Sequence, residues 1–305
     1  MAIQQKRYPD DHWLRSDDQE SALKSYLDQQ SKVYSKIKNG YVQELLGDLE
    51  GKRVLDYGCG AGLFCVYAAK AGAVEVFGVD AEESALATAR YFTKLEGVSK
   101  HCAFVKSAGF PSFAIRRGFD VILMKDVIEH APDDHQLLEA AAKALNPGGI
   151  LVISTQNSMS LNYAVQGTYH RVLRQDKEWY GWDETHLRFY NPIGLSKKLR
   201  SVGLQCEAWR SVYIVPYKIP RLRVGEKKFY RIDMLSWIDR ILGAVFPYNR
   251  LGWNIIVRAR SSRLVTTKAC FESVIRAPFP AAPVSINRES LNLTKESVSR
   301  ACGQT

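Results

Sequence analysis

The segment VLDYGCGAGLF, residues 54–64, constrains the fold of this 305-residue chain more than any other. An apolar run that reads as a strand passes into Gly58, Gly60 and Gly62, and an alanine-rich segment that reads as a helix follows. Glycines at alternate positions let the backbone turn sharply and approach a bound molecule closely. The pattern therefore predicts a ligand-binding loop between a strand and a helix.

The segments that follow this loop alternate between strands and helices. The strands are continuous apolar runs, which is typical of strands buried on both faces. The alternation predicts a Rossmann-like, doubly wound α/β fold with a mostly parallel, seven-stranded sheet and helices on both faces. The predicted strands cover residues 51–58, 74–80, 101–105, 119–126, 149–155, 205–216 and 253–260, and the predicted helices cover 17–47, 62–71, 82–95, 133–145, 192–202 and 228–246.

Changes in the apolar pattern divide the chain into parts. A helical N-terminal segment, residues 1–50, is interrupted at Asn39-Gly40 and precedes a predicted main domain at 51–260. Residues 261–305 lack a periodic apolar pattern, which predicts a poorly ordered tail. The main domain contains two predicted inserts, a lid at 156–190 and an amphipathic segment at 221–250.

Two acidic residues narrow the identity of the ligand. Asp56 lies just before the glycines, where a carboxylate repels a pyrophosphate and attracts an ammonium group. Asp80 follows Gly62 by 18 residues and ends the next predicted strand, where a carboxylate accepts both hydroxyls of a ribose. A nucleoside that carries an amino acid and no phosphate satisfies both, and S-adenosylmethionine is such a molecule.

Four motifs carry a family resemblance. VLDYGCGAG, VFGVD, FDVILMKDVIEHAPD and LNPGGILVISTQN resemble, in order, the motifs of class I S-adenosylmethionine-dependent methyltransferases, and the pattern is most similar to the ubiquinone-biosynthesis O-methyltransferases. Ala108 departs from this pattern, because many relatives have an acid there that reads the adenine amino group. The resemblance implies that the cofactor contacts Asp56, Gly58, Cys59, Gly60, Gly62, Asp80, Ala81, Ala108 and Lys125.

The predicted catalytic residues follow the fourth strand and are Asp126, Glu129 and His130. The resemblance implies that these three residues bind a divalent metal ion such as magnesium, which would acidify a hydroxyl group of the acceptor. Two alternatives stay open. His130 acts as a general base without a metal, since its ordinary pKa lies near neutrality, or Glu129 and His130 only shape the loop.

The acceptor is a less constrained prediction than the cofactor. The chain lacks the NPPY or DPPY motif of amino-group methyltransferases, so no nucleic-acid substrate is expected. The resemblance favours a hydroxyl of a quinone precursor or a related aromatic; the alternatives are a sugar, lipid-linked glycan or other metabolite, and a non-catalytic regulatory protein. The predicted acceptor contacts in the lid are Asn157, Tyr169, Trp182, His186 and Arg188, although the lid aromatics could also pack only against one another.

Charge and hydropathy lead to predictions about membrane contact and the cellular location of the protein. The formal net charge is +10, and apolar stripes recur in residues 161–174 and 229–246 beside basic residues. These stripes fit either docking on the core or peripheral contact with a membrane surface. No apolar run is long enough to span a bilayer and the N-terminus lacks a signal sequence, which predicts a cytoplasmic protein whose six cysteines are thiols. The oligomeric state is not predicted.

Overall fold

A seven-stranded sheet forms the centre of the computed structural model, which describes residues 12–176, 185–216, 218–220, 229–231 and 233–262. Its strand order is β3-β2-β1-β4-β5-β9-β6, and β9 runs antiparallel to both of its neighbours while the other pairs are parallel. The predicted fold is confirmed. The strands are β1 (Arg53–Tyr57), β2 (Glu75–Asp80), β3 (Cys102–Lys106), β4 (Phe119–Lys125), β5 (Leu145–Gln156), β6 (Leu204–Val212) and β9 (Asn254–Ser261), with β7 (Lys218–Pro220) and β8 (Phe229–Arg231) forming a separate hairpin.

Helices cover both faces of the sheet because successive strand residues point to opposite sides. Val54 of β1 packs among the helices of one face, whereas the next residue, Leu55, packs among those of the other. None of the helices in the described ranges combines the length and hydropathy that crossing a bilayer requires. The helices are α1 (Gln19–Gln30), α2 (Val33–Leu46), α3 (Leu63–Lys70), α4 (Glu83–Leu95), α5 (Ser112–Arg117), α6 (Asp134–Ala144), α7 (Leu161–Thr168), α8 (Pro192–Ser201) and α9 (Trp237–Leu242).

Two predicted helices differ from the structure. The N-terminal helix breaks at Ser31-Lys32 rather than at Asn39-Gly40, because the Asn39 amide is buried inside α2 and donates to Gln30 Oε1 at 3.1 Å. In the described part of the predicted helix at 228–246, the structure has β8, a 3-10 helix at Asp233–Ser236 and α9. Gly243 ends α9 in so tight a contact that a side chain there would lie 2.4 Å from the Asp239 carbonyl oxygen.

The segment predicted as a lid, residues 156–190, is described in part. Within residues 156–190 the structure contains α7, followed directly by a five-residue π-helix, Tyr169–Leu173. Trp182 lies outside the described residues, as do the predicted tail from residue 263 onward and two of the six cysteines. The four described cysteines, Cys59, Cys65, Cys102 and Cys206, are free thiols.

Candidate functional site

The glycine loop between β1 and α3 is fixed to the end of β2. The Gly58 amide donates to the Val79 carbonyl at 2.7 Å, and Gly58 has a φ of +82°, which favours glycine. A side chain at Gly58 would lie 2.3 Å from the Val127 Cγ2 atom, whereas a side chain at Gly60 would meet nothing within 4 Å. The loop therefore packs on one side and leaves its Gly60 edge accessible to a ligand.

Asp80 holds this loop in place. Its Oδ2 atom accepts the Gly60 amide at 2.8 Å, and its Oδ1 atom accepts the Glu82 amide at 3.0 Å. Each carboxylate oxygen retains a further lone pair, so both can still accept a hydroxyl from a ligand. Ala81 and Ala108, the predicted adenine neighbours, are exposed near this end of the sheet.

Asp56 is a buried carboxyl beneath the loop and is only 2% exposed. The Cys65 thiol donates to its Oδ2 atom at 3.6 Å. Burial raises the pKa of Asp56 to about 7, against the opposing effects of the Cys65 hydrogen bond and the Lys125 charge. An ammonium group placed beside it would restore the ionised form, which suits the predicted contact with an amino-acid ligand.

Asp126, at the end of β4, is tied to residues far away in the sequence. Lys38 of α2, only 4% exposed, forms an ion pair with it, with 2.6 Å between Nζ and Oδ1. The Ser154 hydroxyl and the Asn254 amide also donate to Oδ1, at 3.0 and 3.3 Å. Burial alone would raise the pKa of Asp126, but the charges of Lys38 and Lys125 outweigh it and hold that pKa well below its ordinary value.

Sequence reasoning missed Lys38. The one feature of the sequence that points to Lys38 is its position on the buried side of an amphipathic helix, four residues before the fully buried Val42. A lysine there must bury its charge against a partner, and that partner is 88 residues away in the sequence. Spacing along the chain does not reveal such a pair.

Glu129, His130 and His186 form a cluster in which one potential ligand atom from each lies within 4.8 Å of the others. Glu129 is fully buried, and its Oε2 atom accepts the Thr155 hydroxyl at 2.9 Å. Among the described residues, its Oε1 atom has no hydrogen-bond partner. Burial, followed by the nearby Asp126 charge, raises the pKa of Glu129 to about 8.

The two histidine rings of this cluster are in contact, with their centroids 4.8 Å apart and their planes tilted by 54°. His130 Nδ1 lies 3.1 Å from the Thr185 carbonyl oxygen, and the Leu187 amide donates to the Glu129 carbonyl at 2.9 Å. These contacts dock residues 185–187 onto the loop after β4. The cluster thus combines two of the predicted catalytic residues with one predicted acceptor contact, His186, while Asp126 lies outside it.

Three other predicted acceptor contacts, Asn157, Tyr169 and Arg188, lie within the described residues. Asn157 is fully buried; its amide donates to the Arg250 and Gly252 carbonyls, both at 2.9 Å, and its oxygen accepts the Met159 amide. These bonds involve both the amide nitrogen and the oxygen of the side chain and tie Asn157 to local loops. Arg188 donates to the Pro132 carbonyl and pairs with Asp134, and Tyr169 is 48% exposed in the π-helix.

Comparisons with known proteins identify the family of this chain. The profile of the methyltransferase domain family matches residues 30–208. The ubiquinone biosynthesis O-methyltransferase of Bordetella pertussis is 30% identical over 182 residues, which cover 59% of this chain and 73% of the relative. The ubiquinone biosynthesis O-methyltransferase of Cronobacter sakazakii is 34% identical over 176 residues, which cover 52% of this chain and 71% of the relative.

The fold also matches solved structures. An O-methyltransferase family protein from Burkholderia thailandensis superposes with a TM-score of 0.51 at 15% identity, over 83% of this chain and 64% of that one. Such a likeness concerns the fold, whereas the family profile spans more than half of the chain. The chain therefore belongs to the methyltransferase domain family and is a class I S-adenosylmethionine-dependent methyltransferase.

Proposed function

We propose that this enzyme transfers the methyl group of S-adenosylmethionine to a hydroxyl of a small aromatic acceptor, such as a quinone precursor. The observation that carries the proposal is the cluster of Glu129, His130 and His186 at the carboxyl end of the sheet, beside the cofactor loop. Methylation of a hydroxyl needs a group that removes its proton, and an imidazole next to a carboxyl can do so. The names of the O-methyltransferase relatives support the same chemistry.

The cofactor side of the reaction depends on positioning. Asp56 and the glycine-loop backbone hold the amino-acid end, and Asp80 accepts the ribose hydroxyls. The sulfonium is already a strong electrophile, so the enzyme has to align the acceptor oxygen, the methyl carbon and the sulfur. The new bond forms between oxygen and methyl carbon, the carbon–sulfur bond breaks, and its electron pair stays on the sulfur of S-adenosylhomocysteine.

His130 serves as the base in this proposal. His130 Nδ1 lies 3.1 Å from both the carbonyl oxygen and the hydroxyl oxygen of Thr185. The proposed mechanism uses the tautomer in which the Nδ1 proton is donated to the carbonyl oxygen. Nε2 is then the basic nitrogen and takes the proton of the acceptor hydroxyl. The buried Glu129 carboxyl lies in the same cluster, and the positive imidazolium that forms favours ionisation of this carboxyl.

Magnesium does not fit these residues. The predicted metal set required Asp126, but this carboxylate is engaged by Lys38, Ser154 and Asn254. The cluster that does assemble offers two nitrogen donors and a single carboxylate, whereas magnesium prefers oxygen ligands. The proposed mechanism therefore has no step that depends on this ion.

Removal of divalent ions checks this point. We expect turnover to stay within about twofold when the enzyme is dialysed against EDTA, because proton removal by an imidazole needs no metal. The measurement is the rate of S-adenosylhomocysteine formation with a catechol acceptor, before and after dialysis. A large loss that added magnesium restores would contradict the proposal.

The pKa of Asp56 predicts a pH dependence of cofactor binding. The free carboxyl has a pKa of about 7, and a bound ammonium group favours its ionised form, so the complex holds fewer protons than the free enzyme. Affinity for S-adenosylhomocysteine should therefore rise between pH 5.5 and 7, by at most about tenfold per pH unit. Calorimetric titrations should show this slope in the wild type and its loss in Asp56→Asn. An affinity of the wild type that does not change between pH 5.5 and 7 would refute this prediction.

Exposed apolar side chains support peripheral contact with a membrane surface, from which a lipid-like acceptor could enter. Leu161, Val165 and Val172, spaced as on one helical face, are each more than half exposed on α7 and the π-helix. A second set follows β8. Its members are Met234, Trp237, Ile241, Val245 and Phe246.

Vesicle co-sedimentation tests this contact. We expect the enzyme to sediment with vesicles that contain anionic lipid, and the double change Val165→Asp with Val172→Asp to reduce the bound fraction several-fold, because charged groups resist insertion. Val74→Asp is the matched control, since Val74 is also exposed but precedes β2, at the opposite end of the sheet. If the wild type, the double variant and Val74→Asp sediment equally, the result would contradict the proposed membrane contact.

A further inference from the structure

Tyr213, the residue after β6, has an unusual backbone conformation. Its φ is +63°, which is strongly disfavoured for a bulky side chain. Asp126, with a φ of +57°, shares this feature and borders the catalytic cluster. Such strain persists only where the surroundings enforce it, and it is concentrated at functional sites.

Asp239 of α9 enforces the conformation of Tyr213. Its carboxylate is 1% exposed and accepts two consecutive backbone amides, that of Tyr213 at 2.8 Å and that of Ile214 at 2.9 Å. The Tyr41 hydroxyl of α2 donates to the Asp239 carbonyl at 2.5 Å, and the Trp253 amide donates to the Tyr213 carbonyl at 3.2 Å. The amphipathic insert thus locks the end of β6 against α2 and β9.

The locked Tyr213 ring faces Tyr34 of α2, with centroids 5.9 Å apart and planes at 90°. Tyr34 in turn lies beside Lys38, whose Nζ atom is 5.9 Å from the centre of the Tyr34 ring and pairs with Asp126. Burial, followed by the charges of Asp126 and Asp239, with a smaller effect of Glu129, raises the pKa of Tyr34 well above its ordinary value. Tyr34 therefore connects Tyr213 to the catalytic residues.

A second series of ring contacts starts at His186 of the catalytic cluster. The His186 ring, which contacts the His130 ring, packs edge-on against Phe189 with 6.1 Å between the ring centroids. Phe189 then contacts Trp253 at 5.6 Å and Tyr163 of α7 at 4.8 Å. In this cluster Tyr213 and Trp253 are buried, whereas Tyr34, Tyr163 and Phe189 are partly buried and pack against them. We call Tyr34, Tyr163, Phe189, Tyr213 and Trp253 the aromatic wall.

We propose that the aromatic wall selects a planar aromatic acceptor over a saturated one, and that Asp239 is a positioning residue that acts through Tyr213. The inference rests on the proposed function and names its specificity-determining surface. Edge and face contacts with aromatic rings favour a planar π-system, which a saturated ring of the same size lacks. The wall contacts the catalytic cluster through His186, so a bound ring would lie with its hydroxyl near His130.

Calorimetry on enzyme saturated with S-adenosylhomocysteine tests this, with catechol and cis-cyclohexane-1,2-diol as matched probes. We expect the wild type to bind catechol about tenfold more tightly than the saturated diol. Tyr213→Gly removes the ring and also suits the positive φ, so it should fold and lose most of this preference. Asp239→Asn should also lower the preference for catechol over the saturated diol, whereas Tyr213→Phe should keep this preference.

Tyr248→Ala is the control variant, since Tyr248 is an exposed tyrosine on the same insert, and it should retain the preference. Unchanged affinity for S-adenosylhomocysteine verifies that each variant is folded. A wild type that binds both diols equally, or a Tyr213→Gly variant that keeps the preference, would overturn the inference. Preferential binding of catechol without methyl transfer would support the wall while refuting the proposed reaction, so the two failures are distinguishable.

Discussion

His130→Ala should lower kcat by about 100- to 1000-fold, which is the usual contribution of a positioned general base. The Kd for S-adenosylhomocysteine should stay within about twofold, because the His130 side chain contacts Thr185 and His186, which belong to the segment at 185–187. The measurement is turnover with a catechol acceptor, together with calorimetric titration of S-adenosylhomocysteine. Free imidazole should restore part of the lost rate, which a purely structural histidine would not allow.

His135→Ala provides the matched control. His135 lies five residues further along, on the exposed side of α6, and its removal should leave kcat unchanged. Unchanged turnover in His130→Ala with cofactor binding intact would exclude His130 as the base. A loss of turnover that imidazole does not restore would leave a structural role for this residue.

The cofactor half of the site could be predicted from the sequence because it is local. Val54 and Leu55 belong to a continuous apolar run, and such runs predict strands whatever the rest of the chain does. Gly58 follows directly, and Asp80 ends the neighbouring strand. In a parallel sheet the carboxyl ends of adjacent strands meet, so spacing along the sequence becomes proximity in space.

The acceptor half could be predicted only in part because its contacts are non-local. Lys38 reaches Asp126 from a helix that precedes the sheet, and His186 reaches Glu129 only because residues 185–187 dock on the loop after β4. The partners of Asn157 are non-local in the same way. A polar residue after β5 resembles an acceptor contact in the sequence, but its partners are carbonyls of the loop before β9.

Gly58→Ala should have the other large effect, and it connects the two halves of the site. The new methyl group would lie 2.3 Å from Val127 Cγ2, and Val127 begins the loop that carries Glu129 and His130. The substitution therefore strains the glycine loop at its φ of +82° and also displaces the catalytic loop. We expect the Kd for S-adenosylhomocysteine to rise at least about 100-fold, the equivalent of about 2.7 kcal/mol.

Two further variants separate the causes of this loss. Gly97→Ala has a similar φ, +71°, but its new methyl group would meet nothing within 4 Å, so it should cost only about 1–2 kcal/mol of stability and leave cofactor binding unchanged. Adding Val127→Ala to Gly58→Ala should recover part of the affinity, because the clash is removed while the backbone strain stays. If the double variant binds no better than Gly58→Ala, packing of Val127 against the glycine loop does not couple the cofactor to the catalytic loop.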